Sequence, residues 1–237
     1  MVTEPAQKTD DHSTGRLFAK ALLGWNARSN RRKMPWKGEK NPYKIWLSEI
    51  MLQQTRVEQG IKYYEKFISQ FPNVHSLANA PDEAVFKAWE GLGYYSRCRN
   101  LISTARFISR ELKGDFPRDY HSILALKGVG AYTAAAIASF AYDLPYAVLD
   151  GNVFRVLSRI FGIETPVDSA AGKKEFASLA QSILPAEHSA QYNQAIMDFG
   201  ALVCKPQPEC NVCFFSPHCK AFASGNQYLL PIKEKRT

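Results

Sequence analysis

The segment from Leu126 to Asn152 constrains the fold more than any other part of this chain. It opens as Leu126-Lys127-Gly128-Val129-Gly130-Ala131-Tyr132-Thr133, runs on through small residues, and closes as Leu149-Asp150-Gly151-Asn152. Residues Asp119 to Leu126 carry a helical pattern with Asp119 as its N-cap. Residues Ala131 to Ala141 are alanine-rich and predict a second helix. Gly128 and Gly130 between them can take φ > 0 and leave no Cβ in the way of a close ligand. The second helix would present unpaired N–H groups and a positive dipole end at that turn, which suits a phosphate oxygen. An ordinary αα-hairpin turn uses the same glycines, so both readings stand on local sequence. A dinucleotide-binding fingerprint does not: Thr133 stands where its third glycine belongs, and no strand pattern precedes the turn.

The rest of the chain also reads as helical. Apolar residues recur at helical spacing over Leu17 to Trp25, Tyr43 to Gln54 and Ile61 to Phe71. Pro42 follows Asn41 as a first-turn proline behind an N-cap. Pro81-Asp82-Glu83 opens a helix ending at Gly91, and Gly91-Leu92-Gly93-Tyr94-Tyr95 is a glycine-flanked loop. Further helices are expected over Ser96–Leu112, Asn152–Phe161, Lys173–Ile183 and Gln191–Val203. No alternating strand pattern, internal repeat or heptad run is present. Residues 1–15 and 226–237 read as loosely ordered tails.

At 237 residues and 46% hydrophobic content, the chain can bury a large core in one domain or two lobes. No apolar run reaches the roughly 18 residues of a membrane span. Met1 to Arg16 lacks a secretory pattern, so an intracellular protein without a membrane partner is expected. The net charge of +8 and pI of 9.2 favour an anionic partner. The basic residues gather at Arg28–Lys40 and Arg97–Arg110, as phosphate contacts or as solvated helix faces.

Four of the five cysteines, Cys204, Cys210, Cys213 and Cys219, fall in a C-x5-C-x2-C-x5-C run. Four thiolates can close a tetrahedral zinc site or a [4Fe–4S] cluster. A zinc ribbon uses two C-x2-C pairs and this chain has one, which favours the iron–sulfur cluster. Cys98 stands alone as an ordinary thiol.

Two carboxylates qualify for chemistry. Glu49 lies in Trp46-Leu47-Ser48-Glu49-Ile50-Met51-Leu52, where desolvation would raise its pKa and suit it to general-acid work; a Glu pointing to water is the plainer reading. Gln53-Gln54-Thr55 follows, as a nucleic-acid contact or a plain helix end. Asp150 precedes Gly151 in a common turn pair, or caps the next helix with backbone N–H groups that favour its charged form. One carboxyl pushed towards neutral and one kept anionic is the arrangement that glycosidic cleavage needs.

These motifs, taken in order with Pro42-Tyr43, Gly91-Leu92-Gly93-Tyr94-Tyr95 and Leu149-Asp150-Gly151-Asn152-Val153, resemble the helix-hairpin-helix, endonuclease III-like glycosylases of base-excision repair. Within them the match is to the adenine-excising MutY type, over about residues 17–220. The resemblance implies an all-α, two-lobed fold. A six-helix barrel lobe would span 29–145, with the helix-hairpin-helix at about 119–142. A second lobe would join 16–28 to 146–225 and carry a [4Fe–4S] loop over 204–219.

The resemblance also implies roles. Glu49 would protonate N7 of a flipped adenine, and Asp150 would stabilise the oxocarbenium-like sugar or add to it transiently. Tyr132 and Asn152 would position and polarise these carboxylates. Gln54, Thr55, Leu92 and Tyr94 would occupy the space around the extruded and partner bases. Trp36, Lys37 and Gln194 would lie near the adenine pocket, and Gly128, Val129 and Gly130 would hold a phosphate. Double-stranded DNA with a mismatch or lesion is the implied partner, bound by a monomer.

Endonuclease III-like relatives place a lysine nucleophile where Tyr132 stands, and tyrosine cannot form a Schiff base. A monofunctional glycosylase follows. Thymine glycosylases of the same branch also carry Tyr and Asp at these positions, so G·T repair is the alternative. A module that binds DNA structure without catalysis is another, and it would need neither Glu49 nor Asp150. A redox protein built on the cluster is a third. Two departures from the family pattern stand out. The first cysteine gap is five residues rather than six, with one lysine in it, and the chain stops where a C-terminal 8-oxoguanine-recognition domain would begin.

Overall fold

The computed structural model describes residues 6–234, with side chains from residue 11 onward. All regular structure among these residues is helical. In chain order the helices are α1 (Ala6–Arg28), α2 (Pro42–Leu52), α3 (Val57–Gln70), α4 (Val74–Asn79), α5 (Asp82–Trp89), α6 (Tyr95–Arg110), α7 (Tyr120–Leu124), α8 (Ala131–Tyr142), α9 (Gly151–Phe161), α10 (Ala170–Ile183), α11 (Ser189–Leu202) and α12 (Lys220–Ala223). Two single 3-10 turns, Cys210–Val212 and Ser216–His218, lie between α11 and α12.

The chain forms two compact units. One is Lys33–Leu144; the other joins the N-terminal part up to Arg32 to the part from Pro145 onward. The sequence reading puts a first lobe at 29–145 and a second at 16–28 with 146–225. The first unit holds seven helical segments, α2 to α8, where six were expected.

Within Lys33–Leu144 the core is aromatic and aliphatic. Trp46, Phe67, Leu77, Val85, Trp89 and Leu101 are all buried. α8 packs against α2 and α7, and its Ala134, Ala136 and Ala138 are fully buried. Short side chains there let the backbones approach closely. Local capping sets the ends. The Asn41 side chain accepts from the Tyr43 and Lys44 amides at the start of α2. Asn73 and Ser76 form a reciprocal capping box at α4.

The second unit is built around Phe18, Leu22, Val156, Leu157, Phe176, Ile196, Phe199 and Phe215. Phe18 meets Phe215 edge-on at 5.0 Å, and Phe199 meets Trp25 at 5.6 Å. The two expected tails need correction. α1 begins at Ala6, far inside the segment read as a tail, because a polar run carries no apolar periodicity to mark it. At the other end Leu230 is buried, the Val167 amide donates to the Ile232 carbonyl, and the Glu234 amide donates to Asp168. Residues 235–237 lie outside the described residues.

Candidate active site

α2 carries the first carboxylate. Its residues Tyr43 to Met51 are buried apart from Lys44, and Glu49 itself is 5% exposed. The reading of Glu49 as a helix-surface residue pointing to water is therefore set aside. At the end of the helix the chain turns sharply through Gln54, whose φ is +58°. Gln54 is exposed, Thr55 is half-buried, and the Thr55 hydroxyl donates to the Gln53 carbonyl. The Gln53 amide reaches the Thr133 hydroxyl at 3.3 Å, which ties the end of α2 to the first turn of α8 beside Tyr132.

The hairpin before α8 is formed as its sequence suggests, with one correction. Gly128 has φ +79°, and a Cβ there would meet Asn100 Cβ at 2.7 Å. Gly130 instead sits at φ −94° as the N-cap of α8, with open space where a Cβ would go. Only Gly128 is needed for backbone conformation; Gly130 leaves an uncrowded approach to the helix N-terminus. Val129 between them is buried, and Thr104 donates to the Lys127 carbonyl at 2.8 Å, bracing the turn.

In the same unit, Leu92 is buried whereas Tyr94 is 63% exposed with φ +49°. Trp36 is nearly buried and meets Tyr64 edge-on at 5.3 Å; Lys37 is half-buried.

The other unit carries the second carboxylate in a different setting. Asp150 is the N-cap of α9 and accepts from the Val153 amide at 2.7 Å. Its second oxygen accepts from Asn152 Nδ2 at 2.7 Å. Asn152 Oδ1 accepts in turn from Arg155 Nη2 at 2.7 Å, and Arg155 Nε donates to the Cys204 carbonyl at 2.8 Å. Asp150, Asn152 and the first cysteine are thus joined by one chain of hydrogen bonds. Gln194 stands elsewhere, donating to Asp198 at 3.1 Å.

Cys204, Cys210, Cys213 and Cys219 all line one cavity, with Ile160, Phe199, Val203, Phe215 and Phe222. No three His, Cys, Asp or Glu side chains among the described residues converge closely enough to hold a single ion. Four soft sulfur donors spread around one apolar-walled space match the donor set of a polynuclear cluster. Burial pushes the Cys210 and Cys219 thiols up, and Cys213 up to about 11. A bound cation would have to displace those protons. Lys205, the one lysine of the short first gap, is paired with Glu209. Cys98 lies apart, fully buried, with burial raising its pKa to about 12.

Three arginines were not singled out by the sequence. Arg159, 2% exposed, donates to the carbonyls of Lys205, Pro206 and Leu230 and so binds the cysteine loop to the C-terminal segment. Arg32 pairs with the fully buried Asp198 at 3.0 Å, which also accepts from Asn30. Arg97 gathers carbonyls at the end of α2. Most of their hydrogen-bond acceptors are backbone oxygens, and Asp198 lies 166 positions from Arg32, so no local pattern marks them.

A two-glycine hairpin between helices, with one buried and one hydrogen-bonded carboxylate in an all-helical chain, defines the class as helix-hairpin-helix. Residues 47–183 match the HhH-GPD superfamily of base excision DNA repair proteins, and the chain belongs to that family. It is 40% identical over 221 residues to the adenine DNA glycosylase of Buchnera aphidicola subsp. Baizongia pistaciae, covering 93% of this chain and 62% of that protein. The human adenine DNA glycosylase is 39% identical over 214 residues, covering 86% of this chain and 39% of that protein. The chain therefore spans less than two thirds of the length of these relatives.

Among solved structures, a thermostable thymine-DNA glycosylase superposes with a TM-score of 0.82 at 29% identity, covering 90% of this chain and 98% of that one. An endonuclease III bound non-covalently to DNA superposes with a TM-score of 0.75 at 20% identity, covering 90% and 97%, which shows the shared fold.

Proposed function

We propose that this chain is a monofunctional DNA glycosylase that flips adenine out of a mispair with 8-oxoguanine or guanine and hydrolyses its N-glycosidic bond. The observation that carries the reading is the paired treatment of two carboxylates within a chain of this family. Glu49 is buried in an apolar helix, whereas Asp150 is held by a backbone amide and Asn152. Glu49 holds the proton that adenine N7 takes as the bond to the sugar lengthens. Asp150 faces the positive charge that develops on the sugar, and Asn152 fixes the orientation of its carboxylate. Tyr132, in the first turn of α8, offers a hydroxyl and no amine, so the sugar is released to water rather than trapped as a Schiff base.

The hairpin at Gly128–Gly130 holds a backbone phosphate at the start of α8. Gln54, Thr55, Leu92 and Tyr94 take the space vacated by the flipped base, which offsets the few kcal/mol that unstacking costs. The family resemblance assigns Trp36, Lys37 and Gln194 to contacts with the adenine. The four cysteines would hold a [4Fe–4S] cluster, which would supply a fixed charged scaffold for the loop between α11 and α12. The protein acts as a monomer on lesion-bearing duplex DNA, inside the cell.

The 37–40% identity to relatives named adenine DNA glycosylase supports adenine as the base. The thymine-DNA glycosylase superposition favours a second reading, removal of thymine opposite guanine. Single-turnover assays on duplexes with adenine opposite 8-oxoguanine, adenine opposite guanine and thymine opposite guanine decide between them. Adenine release without strand cleavage is expected. Release of thymine alone moves the protein to the second reading, and release of neither base overturns both.

A further inference from the structure

Arg97 stands in the first turn of α6, where a cation opposes the helix dipole and no acidic residue offsets it. Its placement serves a different helix. Nη1 donates to the Ile50 carbonyl at 2.8 Å and to the Gln53 carbonyl, with Met51 at 3.4 Å. Ile50 and Met51 stand in the last turn of α2, whose carbonyls lack intrahelical partners, and Gln53 is its C-cap. Nη2 reaches the Leu92 carbonyl at 3.4 Å. The guanidinium also lies 5.4 Å from the ring centroids of both Trp89 and Tyr94. Among the described residues its partners are four backbone oxygens and two rings, with no carboxylate.

Each of the segments joined in this way holds a left-handed, non-glycine residue; Lys113, Asp143 and His188, the others among the described residues, lie outside them. Gln54, directly after the Gln53 carbonyl, has φ +58°, and Tyr94, under the guanidinium, has φ +49°. Side chains in that region are strained and persist only where the surroundings fix them. The indole N–H of Trp89 donates to the Gly93 carbonyl at 2.9 Å, closing the second turn from its other side.

We propose that Arg97 is a positioning residue that clamps two left-handed turns, Gln53–Thr55 and Leu92–Tyr94, into one rigid edge. Resting on the reading of those turns as the part that enters the opened duplex, the clamp sets their spacing before DNA arrives. Affinity for a duplex with an extruded base then carries no further ordering cost at either turn. The planar fork is what spans both turns; a lysine ammonium can hold one of them.

The test uses Arg97→Lys and Arg97→Met, with the Lys variant carrying it if the Met variant fails to fold. Amide hydrogen exchange in the DNA-free protein should quicken by about tenfold or more at residues 53–55 and 92–94. The rest of α2 and α6 should be unchanged, with Met above Lys above the parent. Binding to a duplex with adenine opposite 8-oxoguanine should weaken by about tenfold, and binding to undamaged duplex should keep its affinity and salt slope. Unchanged exchange at both turns, or equal quickening throughout α2 and α6, overturns the clamp. A salt slope on undamaged duplex that falls by about one in Arg97→Met also overturns it, because that marks a phosphate contact. The exchange experiment needs no DNA, so it stands apart from the glycosylase reading, which fails separately if the parent protein releases no base.

Discussion

The two units treat an acidic side chain in opposite ways. In Lys33–Leu144, Glu49 sits at 5% exposure on a helix whose inward residues are Ile45, Trp46, Leu47, Ile50 and Met51. In the other unit, Asp150 begins a helix and is joined to Val153, Asn152 and, through Arg155, to the cysteine loop. The first setting encloses a carboxyl among apolar side chains, and the second surrounds one with hydrogen-bond donors. Two residues of similar intrinsic acidity acquire different chemistry from where the chain places them. The units also hold their shapes differently. The first relies on close helix packing around the buried alanines of α8; the second on an aromatic cluster and a cysteine loop threaded by Arg155 and Arg159.

That contrast can be broken in three places. The largest expected effect is at Phe215, which is 1% exposed and touches Phe18 edge-on. Phe215→Ala should cost about 3–5 kcal/mol. Proteolysis and hydrogen exchange should show the loss in residues 145–234, with residues 33–144 protected; equal loss in both would show that the units do not stabilise themselves separately. The hairpin comes next. Gly128→Ala meets both a left-handed φ and the Asn100 side chain, so chemical denaturation should show a loss of about 1–3 kcal/mol. Gly130→Ala, with extended backbone and open space, should stay within about 0.5 kcal/mol of the parent; its cost would appear as weaker DNA binding. A smaller stability loss than at Gly128 is expected at Asp150. Asp150→Ala removes the cap of α9 and should cost about 1 kcal/mol, while Asp150→Asn keeps a capping oxygen and should melt like the parent. Base release should be lost in both, which separates the charge from the cap.

Much of this was legible in the sequence where a local rule suffices. Asn41, Asp119 and Asp150 all cap helices as their side chains suggest. The hairpin and the cysteine loop fall where the glycines and thiols announce them. α4 was missed although Asn73 and Ser76 spell a capping box, because six residues carry too little periodicity to register. The start of α1 was missed for lack of an apolar stripe. Both glycines were read as able to take φ > 0, but which of them does so is set by the fold: Gly128 does and Gly130 does not. Arg32, Arg97 and Arg159 were invisible because an arginine aimed at a distant carboxylate or at backbone carbonyls looks, in sequence, like any basic residue. Likewise, burial of Glu49 depends on α2 having its long buried face, which its own window leaves open.

The central claim is that Glu49 supplies the proton for base release while Asp150 supplies charge. Single-turnover release of adenine from a duplex with adenine opposite 8-oxoguanine, measured for the parent and Glu49→Gln, tests it most directly. The account predicts that the variant binds the duplex as the parent does and releases adenine slower by about 10²–10⁴-fold. Release at the parental rate from Glu49→Gln would contradict it.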